Sequence, residues 1–205
     1  MDNDSPIARP LAAYYPPDYL TASQIDMLMW ELHQARVMEH QGNSYLAAWD
    51  VRAMLIRVFG FARWSELGTQ PTTLVYEREI TLSNGKDGMA VAYQAHRRLI
   101  VCAPSGMELG IYDGSSVGEH RMPLTSLGDC HDNAVKTAES GALKRAAINL
   151  GTQFGLGLYD HGRTDEVVRV LAWDPRPAQR GEPTPGTAVV VGGDSDLRTD
   201  QEAQA

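Results

Sequence analysis

Residues 132–157, DNAVKTAESGALKRAAINLGTQFGLG, constrain the fold more than any other stretch. Val135, Ala138, Ala142, Ala146 and Asn149/Leu150 recur at three- and four-residue spacing, the period of one helix face. That face is mostly alanine and Gly141 lies mid-helix, so the helix is predicted to bring its backbone close to its support. The glycine costs about 1 kcal/mol of helix propensity. Asp132 or Asn133 is placed to cap the start. Gly151, Gly155 and Gly157 are placed to end it. Lys144 and Arg145, about 100° apart around the axis, can line a groove edge without both entering the core.

The remaining elements order themselves around this helix. Thr21 and Gln24 form a capping box, with Leu20 and Ile25 as its hydrophobic staple. Ile25, Leu28, Met29, Leu32 and Ala35 make the apolar stripe of the helix that follows, which Gly42-Asn43 stops. A second helix is predicted over 47–59, with Val51, Met54, Leu55 and Val58 inward and Gly60 as terminator. The period then changes to two. In 74–82, Leu74, Tyr76, Ile80 and Leu82 share one face, and Val75, Glu77, Glu79 and Thr81 the other. Asn84-Gly85 and Asp87-Gly88 are turn dipeptides. Strands over 89–103 and 107–113, joined by Pro104-Ser105-Gly106, complete a meander, and 114–130 reads as a loop back to the long helix. The predicted fold is α+β: helices, then a three-stranded antiparallel β-meander packed on a long helix, in the order α-α-β-β-β-α.

Composition sets the domain plan. Of 205 residues, 43% are apolar, enough for one core of ordinary size. An irregular arm is expected over 1–19, one domain over 20–160, and an acidic, Pro/Gly-rich, mostly disordered tail over 161–205. The net charge is −8, and the residues from Asp160 onward hold nine acidic and five basic side chains. The tail is thus the more acidic part per residue, while the body retains room for a local basic strip. The apolar run at 167–173 (VVRVLAW) is expected to dock on the body or on a partner. Two cysteines, Cys102 and Cys130, imply no disulfide framework and fit a reducing cytoplasm. No apolar run approaches a membrane span, and no GxxxxGK[ST] phosphate loop is present.

The order of elements resembles the Rad fifty-two family of single-strand annealing proteins over roughly residues 20–160. The matching residues are Tyr45-Leu46, Phe59-Gly60-Phe61, Trp64, the Asn84-Gly85 turn and Pro104-Ser105-Gly106. They continue with Lys136-x-Ala138, Leu143-Lys144-Arg145-Ala146, Gly151 and Leu158-Tyr159-Asp160. The resemblance implies a homo-oligomeric ring or arc whose groove holds a single-stranded DNA backbone and leaves the bases free to pair. It implies ATP-independent annealing in recombination and repair, without a cofactor, in the cytoplasm (nucleoid-associated, or of a phage-infected host). Lys144 and Arg145 become the expected phosphate contacts, with Lys136 on the same helix. Where relatives carry an arginine on the second helix, counted back from Phe59-Gly60, this chain has Asp50; Arg52 is the nearest substitute. A further basic position of relatives falls near Thr125, so an outer DNA surface is not supported.

Phosphate binding by Lys and Arg releases counterions and is largely blind to sequence. Arg97 and Arg98 lie on opposite strand faces; one could line the groove while the other pairs across the sheet with Glu77 or Glu79. Tyr45, Trp49, Phe59, Phe61 and Trp64 are expected mainly in core packing rather than on bases. Asp129-Cys130-His131-Asp132 has metal-ligating side chains but no second ligand pair at the usual spacing. Two other classes remain: a metal-dependent nuclease using Asp129, His131, Asp132 and Glu139, and an interaction scaffold that binds no DNA. The acidic tail is expected either to recruit a replication or recombination protein or to compete with DNA for the groove.

Overall fold

The computed structural model describes residues 19–40, 42–169 and 171; the N-terminal arm before Tyr19 and most of the acidic tail lie outside the described residues. Two helices, α1 (Ala22–Met29) and α2 (Ala48–Phe59), flank a short antiparallel hairpin of β1 (Val37–His40) and β2 (Asn43–Leu46). Three long strands follow, β3 (Trp64–Thr81), β4 (Asp87–Cys102) and β5 (Glu108–Pro123), in one antiparallel sheet of order β3-β4-β5. The chain then enters α3 (Leu127–Ala147), which packs on one face of that sheet, and finishes in 3-10 turns at Ile148–Leu150, Thr152–Phe154 and Leu156–Tyr159. The α+β architecture matches the sequence reading, with an added hairpin between the first two helices.

Several boundaries differ, each for a physical reason. The capping box at Thr21 and Gln24 forms, but α1 ends at Met29; Leu32 lies beyond it and Ala35 falls in a separate 3-10 turn, Gln34–Arg36. Leu32 is instead buried beyond the helix, its N–H donating to the Thr164 carbonyl at 2.7 Å. Gly42, at φ +77°, belongs to the β1–β2 turn rather than to a helix stop. Strand β3 begins ahead of the predicted start, because register shifts around Gly68, Gln70, Thr73 and Tyr76 break the two-residue alternation. The stretch read as a loop, 114–130, is the second half of β5 followed by the first turns of α3.

The second half of β5 holds the sheet and helix together. A Cβ on Gly114 would collide with the backbone of Ala142 and Ala146, and one on Gly118 with the backbone of Ala134 and Ala138. The glycines therefore mark where α3 lies directly on β5. Ala134, Ala138, Ala142 and Ala146 are fully buried along that line. The main core gathers at the C-terminal end of α3, where Leu143, Ala146 and Ala147 meet Val51, Leu55 and Val58 of α2, Leu99 of β4, and Phe154. No helix among the described residues is long and apolar enough to cross a membrane.

A polar anchor ties the hairpin to this core. Asp50 of α2 accepts from Arg36 Nε at 3.0 Å and Nη2 at 2.9 Å, and Arg36 Nη2 also donates to the Gln153 carbonyl at 2.9 Å. Gln153 Nε2 in turn donates to the carbonyls of Trp30 and Glu31. Asp50, where an arginine was expected from relatives, thus has a structural partner. The 161–169 segment also returns to the body, its Val167 N–H donating to Thr152 Oγ1 at 3.2 Å. Of the predicted docking run, Val170, Ala172 and Trp173 lie outside the described residues.

Three stability measurements by chemical denaturation follow from these contacts. Asp50→Ala leaves Arg36 largely buried without its counter-charge and is expected to cost about 3 kcal/mol; a loss well below that contradicts the anchor. Gly118→Ala is expected to destabilise by about 1–3 kcal/mol or more through overpacking. Gly128→Ala, in the first turn of α3, where a Cβ meets nothing within 4 Å, is expected to stabilise by up to about 1 kcal/mol.

Candidate nucleic-acid interface

Lys144 and Arg145 fall in the last turn of α3. Leu46 of β2 takes a core position, which turns its neighbour Tyr45 to the other side of the strand, toward that turn. The Lys144 ammonium sits 5.1 Å from the centre of the Tyr45 ring. Around it, Ser44, Val51, Phe154, Leu158 and Tyr159 complete an open niche. Lys144 is half-buried there, and the loss of water around it lowers its pKa below the ordinary lysine range. The Tyr45 ring face and the negative end of the helix dipole offset part of that cost. Among the described residues, neither Lys144 nor Arg145 has a carboxylate partner, and Arg145 is exposed.

The other four candidate cations are all paired. Lys136 bonds Asp132 one turn back on α3. Arg98 makes a two-pronged pair with Asp113 of β5, both bonds 2.8 Å. Arg52 meets Glu66 at 2.9 Å; Arg97 meets the same Glu66 at 3.5 Å and Glu139 of α3 at 2.5 Å. Thr72 Oγ1 donates to Glu139 at 3.1 Å. These contacts form one alternating ladder, Arg52–Glu66–Arg97–Glu139, joining α2, β3, β4 and α3. The partners of Arg97 and Arg98 are therefore not the expected Glu77 and Glu79; Glu77 instead approaches His131, at 3.8 Å. Glu139 and Lys144 are five residues apart, about 140° around the helix, so the ladder and the Lys144 niche lie on different flanks of α3.

Asp129, Cys130, His131 and Asp132 lie in the first turns of α3, where successive side chains fan out by about 100°. Cys130 is buried, its thiol pushed up by desolvation and directed at the carbonyls of Met89 and His120. His131 Nδ1 lies 3.0 Å from the Tyr93 hydroxyl, while Asp132 and Glu139 go to Lys136 and Arg97. Among the described residues, no three His, Cys, Asp or Glu side chains are grouped to hold a metal ion.

The aromatic expectations are corrected in part. Phe59 is buried, and Trp64 packs against the same core. Trp49 and Phe61 are exposed at 72% and 88%. Trp49 lies about 160° around α2 from the buried Val51, and Phe61 follows Gly60, whose φ of +87° turns the chain away from the core. Sequence reasoning gave Tyr45 no contact with Lys144 and Tyr159 no role. It also missed Glu66 and Glu139 as counter-ions to Arg97, because each meeting joins residues far apart in the chain with no local pattern to signal it.

A comparison with curated proteins returns no match. The model of one family, described as Rad52/22 family double-strand break repair protein, matches residues 22–174. That span takes in every helix and strand described above, including the helix that carries Lys144 and Arg145. The chain belongs to the Rad52/22 family of double-strand break repair proteins.

Proposed function

We propose that this protein binds single-stranded DNA along the Lys144–Arg145 edge of α3 and anneals complementary strands without ATP during recombination and repair. The observation that carries the reading is the half-buried Lys144 ammonium, stacked on Tyr45 and lacking a carboxylate counter-charge among the described residues. A cation held in that state favours an incoming anion, and a phosphate meets it at no cost of breaking an ion pair. Arg145 adds a planar fork for a second phosphate oxygen. Lys136 and Arg98 join only by exchanging exposed carboxylate partners, pairs that solvent screens. Arg52 and Arg97 serve first as rungs of the ion-pair ladder.

In this reading, residues 20–160 are the annealing domain, and copies of the chain assemble into a ring or arc that continues the cationic edge. Holding a strand extended along such an edge raises the effective concentration of its free bases. Base pairing then drives annealing, and no nucleotide hydrolysis is required. The work takes place in the cytoplasm or at the nucleoid, and the acidic tail recruits a replication or recombination protein.

A salt titration of binding to oligo-dT tests the assignment. Lys144→Ala with Arg145→Ala is expected to weaken binding and lower the slope of log affinity against log salt by about 0.7 for each phosphate left unneutralised. Unchanged affinity and slope in a folded variant overturn it. The lowered pKa of Lys144 sets a sign for pH: the charge is present below that pKa and disappears as pH rises through it. Affinity for oligo-dA is therefore expected to decline at a lower pH than exposed lysines would give. Lys144→Arg, which stays charged, flattens the decline.

A further inference from the structure

Tyr159 is 75% exposed, yet it lines the same niche as Lys144 and Tyr45. Its backbone is held on both sides. Gly157 and Leu158 before it are buried, and a Cβ on Gly157 would press into the carbonyl of Arg163. After it, Gly162 N–H donates to the Leu158 carbonyl and Arg163 N–H to the Asp160 carbonyl, both at 3.1 Å. The turn closes through His161 at φ +52° and Gly162 at φ +75°. Arg163 also bonds the carboxylates of Asp160 and Asp165, so the acidic residue that follows Tyr159 in the chain is ion-paired. The fold therefore holds the backbone of a solvent-exposed aromatic residue beside a cation that has no carboxylate partner among the described residues.

The niche is open and small, about 70 Å³, room for a few waters or phosphate oxygens. Tyr159 stands at its edge, within one nucleotide of a phosphate that reaches Lys144. We infer that Tyr159 is a base-stacking residue: one nucleobase per subunit rests its ring face on the phenol ring while the adjoining phosphate contacts Lys144. Stacking uses the π-face of the base, so its pairing edge stays free for a complementary strand. Every base has such a face, so the contact adds affinity without selecting sequence. The inference deepens the single-strand reading above and rests on it.

The test compares the full-length protein with Tyr159→Ala, Tyr159→Leu and Tyr159→Phe by fluorescence anisotropy. The probes are labelled oligo-dT and an abasic oligonucleotide of equal length. Tyr159→Ala and Tyr159→Leu are expected to bind oligo-dT about five-fold or more weakly. On the abasic strand, with no base to stack, both should equal the unmodified protein, and Tyr159→Phe should retain binding to either. Oligo-dT affinity unchanged by Tyr159→Ala, or an equal loss on both strands, overturns the stacking role while leaving the phosphate site intact. Unmodified protein that binds neither strand at low ionic strength overturns the single-strand reading and the stacking role with it.

Discussion

The structure depends on the close approach of α3 to β5. Gly114 and Gly118 put bare backbone against the helix, Ser116 between them faces Gly141, and alanines on the helix complete the fit. Dispersion contacts at that distance are numerous, and a single added carbon on either glycine meets backbone that cannot move aside. The seam fixes where α3 lies over the sheet and hence where its last turn emerges. The candidate pair, Lys144 and Arg145, belongs to that turn, so helix packing positions both cations directly.

The second half of the candidate site comes from the other end of the chain. Tyr45 is delivered by the β1–β2 hairpin, which the Arg36–Asp50–Gln153 network anchors to α2 and to the turns after α3. The anchor is polar, but both of its charges are paired and the amide of Gln153 is used on both sides, so it adds specificity without an orphaned buried group. Lys144 meets Tyr45 because the glycine-lined seam and this network converge. Ser44 and Tyr159 reach the same niche from opposite ends of the domain.

What could be read from the sequence was local. The capping box at Thr21 and Gln24, the inward face of α2 and the small face of α3 are set by residues a few positions apart. The Lys144-Arg145 pair was legible for the same reason. The second half of β5 was not. Its GSSVG composition resembles a loop, yet glycine is required there because α3, which the chain enters just after the strand ends, folds back onto it. The first half of β3 was hidden by its register shifts and by Pro71, which donates no ladder hydrogen bond. Likewise, nothing near Arg97 in the sequence points to Glu66 or Glu139, and only the assembled sheet and helix bring them together. Asp50 read as a departure from a DNA-contact position; in the fold it is the partner of Arg36.

The proposed function requires the cationic edge of α3, which has no carboxylate partner among the described residues, to hold single strands in a state ready to pair. The most direct measurement is the rate at which two complementary, dye-labelled oligonucleotides anneal when mixed with the purified protein in the absence of nucleotide. Annealing is expected well above the protein-free rate at low ionic strength, and suppressed as salt is raised. An annealing rate equal to the protein-free control across that salt range would contradict it.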